Sequence, residues 1–279
     1  MAYQAEISRN NPTAILFLVD QSGSMMDSLS NGKSKAGQVA DVLNRTLATL
    51  ITRCTKAEGT RDYFEVGVIG YNSRNVGSCL NIQDKDTILH PISEIEAHPL
   101  RIEDRYRKFD DGCGGVIEQA VKFPIWFEPQ AVGGTPMKQA LAMAGTTLLE
   151  WSDEHFDAYP PTILHITDGE GNDGNPEEVA DALRAIRTND GNLLFFNLHV
   201  SSKSNAHFEF PSAESELPDP FAKMLFRMSS FLPDHVLSLA SEKGFNVSSS
   251  SKGFMYNADA VQIVDFFDIG TRALQQQLR

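Results

Sequence analysis

At 279 residues and 41% hydrophobic content, the chain can fill a sizeable core and has the length of one large domain or two small ones. A formal net charge of −13 argues against nucleic acid, whose binders displace counterions with clustered Lys and Arg, and against anionic membrane surfaces. No run reaches the roughly 18 apolar residues of a membrane span, and the opening residues, MAYQAEISRNNP, lack the apolar core of a secretion signal; the chain is expected to be soluble and cytoplasmic.

The first predicted element is TAILFLV, residues 13–19, a continuous apolar run that reads as a strand covered on both faces. An amphipathic helix is expected over 34–53, where Val39, Val42, Leu43, Thr46, Leu47 and Leu50 recur at three- and four-residue spacing. YFEVGVIGY, 63–71, reads as a strand, with short strand-like pieces near 76–83 and 87–90. Residues 91–133 are the least regular part, with the mixed-charge RIEDRYRKFDD, a GCGG cluster at 112–115 and the apolar FPIWF at 123–127, read as a buried edge segment.

Thr135-Pro136 marks a helix start, because Thr favours the N-cap and Pro the first helical position; Met137, Leu141, Ala144, Leu148 and Trp151 then share a face. PPTILHIT, 160–167, is another buried strand, 176–187 a helix opening with Pro and two acids, and NLLFFNLHV, 192–200, a strand. A loop-like stretch at 201–219 precedes helical patterns at 220–230 and 233–243, a short strand in KGFMYNA, and a closing helix over 258–276 with Val261, Val264 and Phe267 facing inward. Strands alternating with helices imply an α/β fold of doubly wound type, a mostly parallel central sheet flanked by helices. No linker or repeat breaks the series, so 1–279 reads as a single domain with its core over about 13–276 and possible insertions at 91–132 and 201–232.

Cys54, Cys79 and Cys113 are odd in number, far apart and form no CxxC pair, so neither a disulfide framework nor a zinc site is indicated. The sequons at Asn44 and Asn246 are expected to be chance. His165 and His199, inside apolar strands, read as hydrogen-bonded core residues rather than ligands.

Ligands of open parallel sheets bind beyond the carboxyl ends of the strands. Asp20 and Asp168 each follow an apolar strand and so reach that edge, and Thr135, between a flexible VGG and a helix, can reach the same rim. DQSGS, 20–24, adds Ser22 and Ser24 at alternate positions, with Gly23 allowing the tight path between them. Two carboxylates and three hydroxyls are hard oxygens, which suit Mg²⁺ or Mn²⁺ rather than zinc. Neutral hydroxyls donate weakly, so such an ion would stay a Lewis acid with a position to spare, and the Glu or Asp of a partner protein is the natural occupant.

DQSGS (20–24), GGTP (133–136) and TDGE (167–170) together resemble the metal-ion-dependent adhesion site, MIDAS, of von Willebrand factor A (vWA) domains, including integrin inserted domains. The resemblance implies a doubly wound vWA fold with Asp20, Ser22, Ser24, Thr135 and Asp168 as metal-binding residues. It implies that the serines touch the ion directly and that the threonine and aspartates bind directly or through water. It also implies an intracellular, bacterial-type member without catalysis of its own, acting beside AAA+ ATPases or the kinases and phosphatases of stress-response clusters. Glu170 and Asp173 extend the acidic loop and are read as solvated acids or as groups orienting water. The alternative is a metal-dependent phosphohydrolase with Asp20 as nucleophile. That chemistry wants a second acid two residues on, where Ser22 stands, and the GxSxG frame of a nucleophilic serine is absent.

Overall fold

A computed structural model describes residues 2–29, 32–84, 86–110, 116–169, 171–200, 206–257 and 260–275, with backbone only at 107–110, 116, 260, 261 and 270–275. In chain order the principal elements are β1 (Thr13–Asp20), α1 (Lys35–Cys54), β2 (Phe64–Asn72), β3 (Asn75–Ser78), β4 (His90–Pro91) and α2 (Ile92–Ala97). There follow β5 (Arg101–Asp110), β6 (Val116–Ile125), α3 (Met137–Glu154), β7 (Thr162–Thr167), α4 (Glu177–Ala185) and β8 (Leu194–His199). The chain closes with β9 (Phe208–Glu209), α5 (Pro220–Met228), α6 (Asp234–Glu242), β10 (Phe254–Tyr256) and α7 (Ala260–Gln275).

An eight-stranded mixed sheet runs in the order β9-β10-β8-β7-β1-β2-β3, with β4 also paired to β2. The central pairs β10·β8, β8·β7, β7·β1 and β1·β2 are parallel, and antiparallel pairing is confined to the margins. All eight residues of β1 and all six of β7 and β8 are buried, because helices cover both faces. Ile15, Phe17 and Val19 point into one core with α1, α6 and α7, where the Phe17 and Phe267 rings meet edge to face at 5.5 Å. Ala14, Leu16 and Leu18 point into a second core with α3, α4 and α5. A strand with two buried faces has no polar side to show, which is why these segments read as unbroken apolar runs.

Two expectations need correction. In α7, Phe267 is buried as expected, but Val264 is 40% exposed, and Ile263 and Phe266 face inward instead; the Val261 side chain lies outside the described residues. The irregular stretch after residue 91 contains a ten-residue antiparallel hairpin, β5·β6, paired from Arg101↔Ile125 to Asp110↔Val116 and separate from the main sheet. It escapes a period-two reading because a lone ribbon has little to bury: Ile102, Tyr106 and Ile117 are all more than half exposed. The GCGG cluster lies outside the described residues.

The root of the hairpin is held by the helix α1. Asn44 Nδ2 donates to Ala40 O and to Phe127 O, both at 2.8 Å, while its Oδ1 accepts from Trp126 N at 2.8 Å and Phe127 N at 3.0 Å. The Arg105 guanidinium stacks 3.9 Å from the Phe123 ring and pairs with Asp41 at 2.6 Å. FPIWF is accordingly buried. Asn44, 2% exposed, spends its amide on the backbone and is no glycan acceptor in the folded chain. Asn44→Ala orphans the buried N–H groups of Trp126 and Phe127 and strips a donor from Phe127 O, and is expected to cost about 2–4 kcal/mol in chemical unfolding.

Candidate functional site

The parallel register aligns the carboxyl ends of β1, β2 and β7: Asp20 lies opposite Tyr71, and Val19 opposite Ile166. Asp20 and Asp168 therefore emerge at one edge of the sheet, as neighbours. The Asp20 carboxylate is clamped there. Its Oδ1 accepts from Ser22 N at 2.8 Å and its Oδ2 from the Thr167 hydroxyl at 2.7 Å. Ser22 Oγ and Ser24 Oγ approach to 3.1 Å, so both serine hydroxyls of DQSGS face the same point, with Ser22 buried and Ser24 half-buried. A 3₁₀ turn over Gly23–Met26 follows directly.

Three backbone bonds tie the loops that carry the remaining residues. Gly23 N donates to Gly133 O at 2.8 Å, Val132 N to Gln21 O at 2.7 Å, and Asn172 N to Thr135 O at 3.0 Å. The loop before α3 is thus stitched to DQSGS on one side and to the loop after β7 on the other. Gly133 takes φ +67° and lies against the Ser73 side chain, and Gly134 lies against Asn172; a Cβ at either would collide. Thr135 is 5% exposed and Asp168 9%.

Thr135 does not cap α3. Pro136 takes the N-cap position without a side-chain bond, and the carboxylate of Asp173 accepts from Lys138 N at 3.0 Å and Gln139 N at 2.8 Å instead. The cap expected from the local motif comes from a residue across the loop, and the Thr135 hydroxyl has no partner among the described residues. Asp173, half-buried, therefore serves as the helix cap; Glu170 lies outside the described residues.

Asp168 is held through its backbone. His199, its pKa lowered by burial, donates from Nε2 to Asp168 O at 2.6 Å. Gly169, at φ +91°, passes between His199 and Phe221, where a Cβ would lie 2.8 Å from that of Phe221. Asp168 Oδ2 lies 3.6 Å from Lys35 Nζ, while Asp168 Oδ1 is buried with no hydrogen-bond partner among the described residues. His165 is likewise a core residue: Nδ1 donates to Asn197 Oδ1 at 2.7 Å and Nε2 accepts from the Tyr71 hydroxyl at 2.7 Å. Burial holds its pKa down to about 4.

Thr167 and Lys35 are missing from the residues picked out by motif. A Thr at the end of an apolar strand signals a polar partner there. A Lys in the first turn of a helix opposes the helix dipole, so an acid nearby must compensate; its identity depends on the fold.

Burial, first, and the neighbouring Asp168 push the Asp20 carboxyl up to about 6, against the opposing bonds from Ser22 and Thr167. Ionised Asp20 in the metal-free fold is thus under strain at neutral pH, which the polar surroundings only partly relieve. Because the folded pKa lies above the unfolded value, the fold binds the proton more tightly. That contribution is complete below about pH 4 and is lost as pH rises through about 6. Asp20→Asn keeps the acceptor for Ser22 N and removes the charge. In chelator, melts from pH 4 to 8 should show the variant equal to the parent at the acid end, gaining up to about 3 kcal/mol above pH 6. A variant whose deficit is constant across that range would contradict this account.

Among the described residues no cluster of three or more His, Cys, Asp or Glu side chains could hold a metal, and no helix is long and apolar enough to cross a membrane. Cys54 is buried and Cys79 half-buried; Cys113 lies outside the described residues. No family model and no curated protein matches the chain. Among solved structures, the pilus adhesin SpaC from Lactobacillus rhamnosus GG is similar with a TM-score of 0.53 at 13% identity, over 98% of this chain and 32% of SpaC. The vWF domain of the type V pili tip protein Mfa5 from Porphyromonas gingivalis gives a TM-score of 0.32 at 13% identity, over 57% of this chain and 38% of that one. The chain spans about a third of the length of the SpaC structure. At such identity the likeness to SpaC shows the fold alone, a mixed, mostly parallel sheet flanked by helices.

Proposed function

We propose that the chain is a vWA domain of doubly wound α/β type and that the edge built by DQSGS, GGTP and TDGE is a MIDAS, a divalent-metal site for binding a partner protein. One observation carries the reading. Three loops remote in sequence are joined by backbone hydrogen bonds beside the carboxyl ends of β1 and β7, which supports a rim shared by two carboxylates and three hydroxyls. The donor set fits a hard cation. The buried Asp168 Oδ1 lacks a hydrogen-bond partner among the described residues, the Thr135 hydroxyl is left over from capping, and Asp20 and Asp168 repel each other. A site of two acids and three hydroxyls favours Mg²⁺, or Mn²⁺, over zinc.

Asp20, Ser22, Ser24, Thr135 and Asp168 would hold the ion, and the ion would supply Lewis acidity toward a Glu or Asp of the partner. The chain's own groups do the positioning. Thr167 and Ser22 N fix the Asp20 carboxylate, His199 fixes the backbone of Asp168, and Asp173 locks the loop behind Thr135 by capping α3. We read the role as non-catalytic: Asp173 is engaged in that cap, and the His165 and His199 rings are tied into hydrogen bonds with Tyr71, Asn197 and the Asp168 carbonyl.

A cation that binds the folded state alone raises its stability by about 2.7 kcal/mol at a hundredfold excess over Kd, or several degrees in Tm for a chain of this size. Mg²⁺ added to chelator-stripped protein should produce that rise, and Asp20→Ala or Ser22→Ala should abolish it. An equal rise in both variants would remove the site from consideration. A partner recovered by pull-down should be released by EDTA and restored by Mg²⁺; retention through the chelator would refute bridging by metal.

A further inference from the structure

Lys35 is the first residue of α1 and only 3% exposed. Lysines are almost never buried unless paired, and an ammonium in a helix's first turn is disfavoured by the helix dipole. Two carboxylates compensate. Nζ lies 3.3 Å from Asp27 Oδ2 and 3.6 Å from Asp168 Oδ2. These partners differ in surroundings: the Asp27 side chain is 56% exposed, that of Asp168 7%. Solvent screens the first pair and leaves the second nearly at full strength. The ammonium thus pairs with one oxygen of Asp168, while the other, Oδ1, is buried and has no hydrogen-bond partner among the described residues.

We propose that Lys35 is a resident counter-cation of this site: its ammonium neutralises Asp168 in the metal-free fold and competes with a divalent ion for that carboxylate. The inference rests on the metal-site reading above and adds to it a device that sets affinity. A metal entering between Asp20 and Asp168 meets one carboxylate already half satisfied and a positive charge beside it. Both effects weaken binding relative to the same oxygens without Lys35. The metal-free fold gains in return, because Asp168 is not left as an uncompensated buried charge. Lys35 acts through Asp168 and is a positioning residue, not a ligand.

Calorimetric titration of Mg²⁺ and of Mn²⁺ into the chelator-stripped full chain tests this at pH 7.5. Lys35→Met and Lys35→Gln keep much of the side chain's bulk without its charge, and each should bind both ions about tenfold more tightly than the parent, or about 1.4 kcal/mol. In chelator both should melt below the parent, and Mg²⁺ should raise their Tm by more. Lys33→Met makes the same change in net charge at an exposed position and should bind within about twofold of the parent. A merely structural role for Lys35 predicts metal binding that is equal or weaker in both variants, and either result overturns the inference. A Lys33→Met gain as large as that of Lys35→Met would overturn it too, by showing a general charge effect.

Should neither Lys35 variant fold, the parent suffices: in ¹⁵N-labelled protein the Lys35 ammonium resonance should shift as Mg²⁺ saturates the site, and an unmoved resonance at saturation counts against competition. Failure of the parent and of both Lys35 variants to bind either ion would instead remove the metal reading itself. Binding by the parent that the variants leave unchanged removes only the role of Lys35.

Discussion

The hydrogen bond from the Thr167 hydroxyl to Asp20 Oδ2 is the contact on which the rest of the edge depends. It can form only because β1 and β7 run parallel and end level, with Val19 beside Ile166. An antiparallel neighbour would send the residue after Ile166 to the opposite end of the sheet. Once Asp20 is clamped, Ser22 N closes on its other oxygen and the DQSGS loop turns sharply. Gly23 is then placed to reach Gly133. The carboxyl edge is therefore a consequence of strand direction first and of side-chain chemistry second.

Beneath that edge a buried polar chain crosses the sheet. The Tyr71 hydroxyl on β2 donates to His165 on β7, His165 to Asn197 on β8, Asn197 Nδ2 to Ser229 Oγ at 2.9 Å, and Ser229 Oγ to Leu225 O at 2.8 Å. Each member has a single role as donor and acceptor, so the chain has one direction. Burying these groups costs little because they are paired, whereas deleting one would orphan its neighbours. Such a network specifies strand register where apolar packing alone would tolerate a shift, since a slip of one residue would turn His165 to the other face. It also explains why a histidine can lie inside an apolar strand without binding anything.

How much of this was legible beforehand varies with the distance over which each contact acts. The central strands and the helices α1 and α3 were readable because a run buried on two faces, or apolar residues at helical spacing, is a local pattern. That Asp20 and Asp168 end at one edge was readable too, since parallel strands deliver their carboxyl ends to the same side; GGTP follows the hairpin rather than a parallel strand, and backbone bonds formed only in the fold tie it there. The hairpin β5·β6 was not, because an isolated ribbon carries charge on both faces and no alternation survives. Val264 was misassigned for a different reason: Ile263, Val264, Phe266 and Phe267 offer two overlapping stripes, and only packing against Phe17 decides between them. The α3 cap was misread because Asp173, 35 residues from Lys138 in the chain, outcompetes the adjacent Thr135. Lys35 was missed for the same cause, its partners Asp27 and Asp168 being assembled only by the fold.

Two carboxylates brought together under burial must be relieved somehow, and this edge offers three distinct means. A proton can stay on Asp20, whose pKa is raised to about 6. The Lys35 ammonium can lean on Asp168. In the reading proposed above, a divalent cation can take both. Proton and ammonium each answer one carboxylate; the Ser22 hydroxyl already leans on Asp20 and on Ser24, while the Thr135 hydroxyl has no partner among the described residues. In that reading Ser22, Ser24 and Thr135 would join the two acids around the ion. On the proposed reading the three means compete for the same two carboxylates, so proton, ammonium and cation would each weaken the hold of the others on this edge.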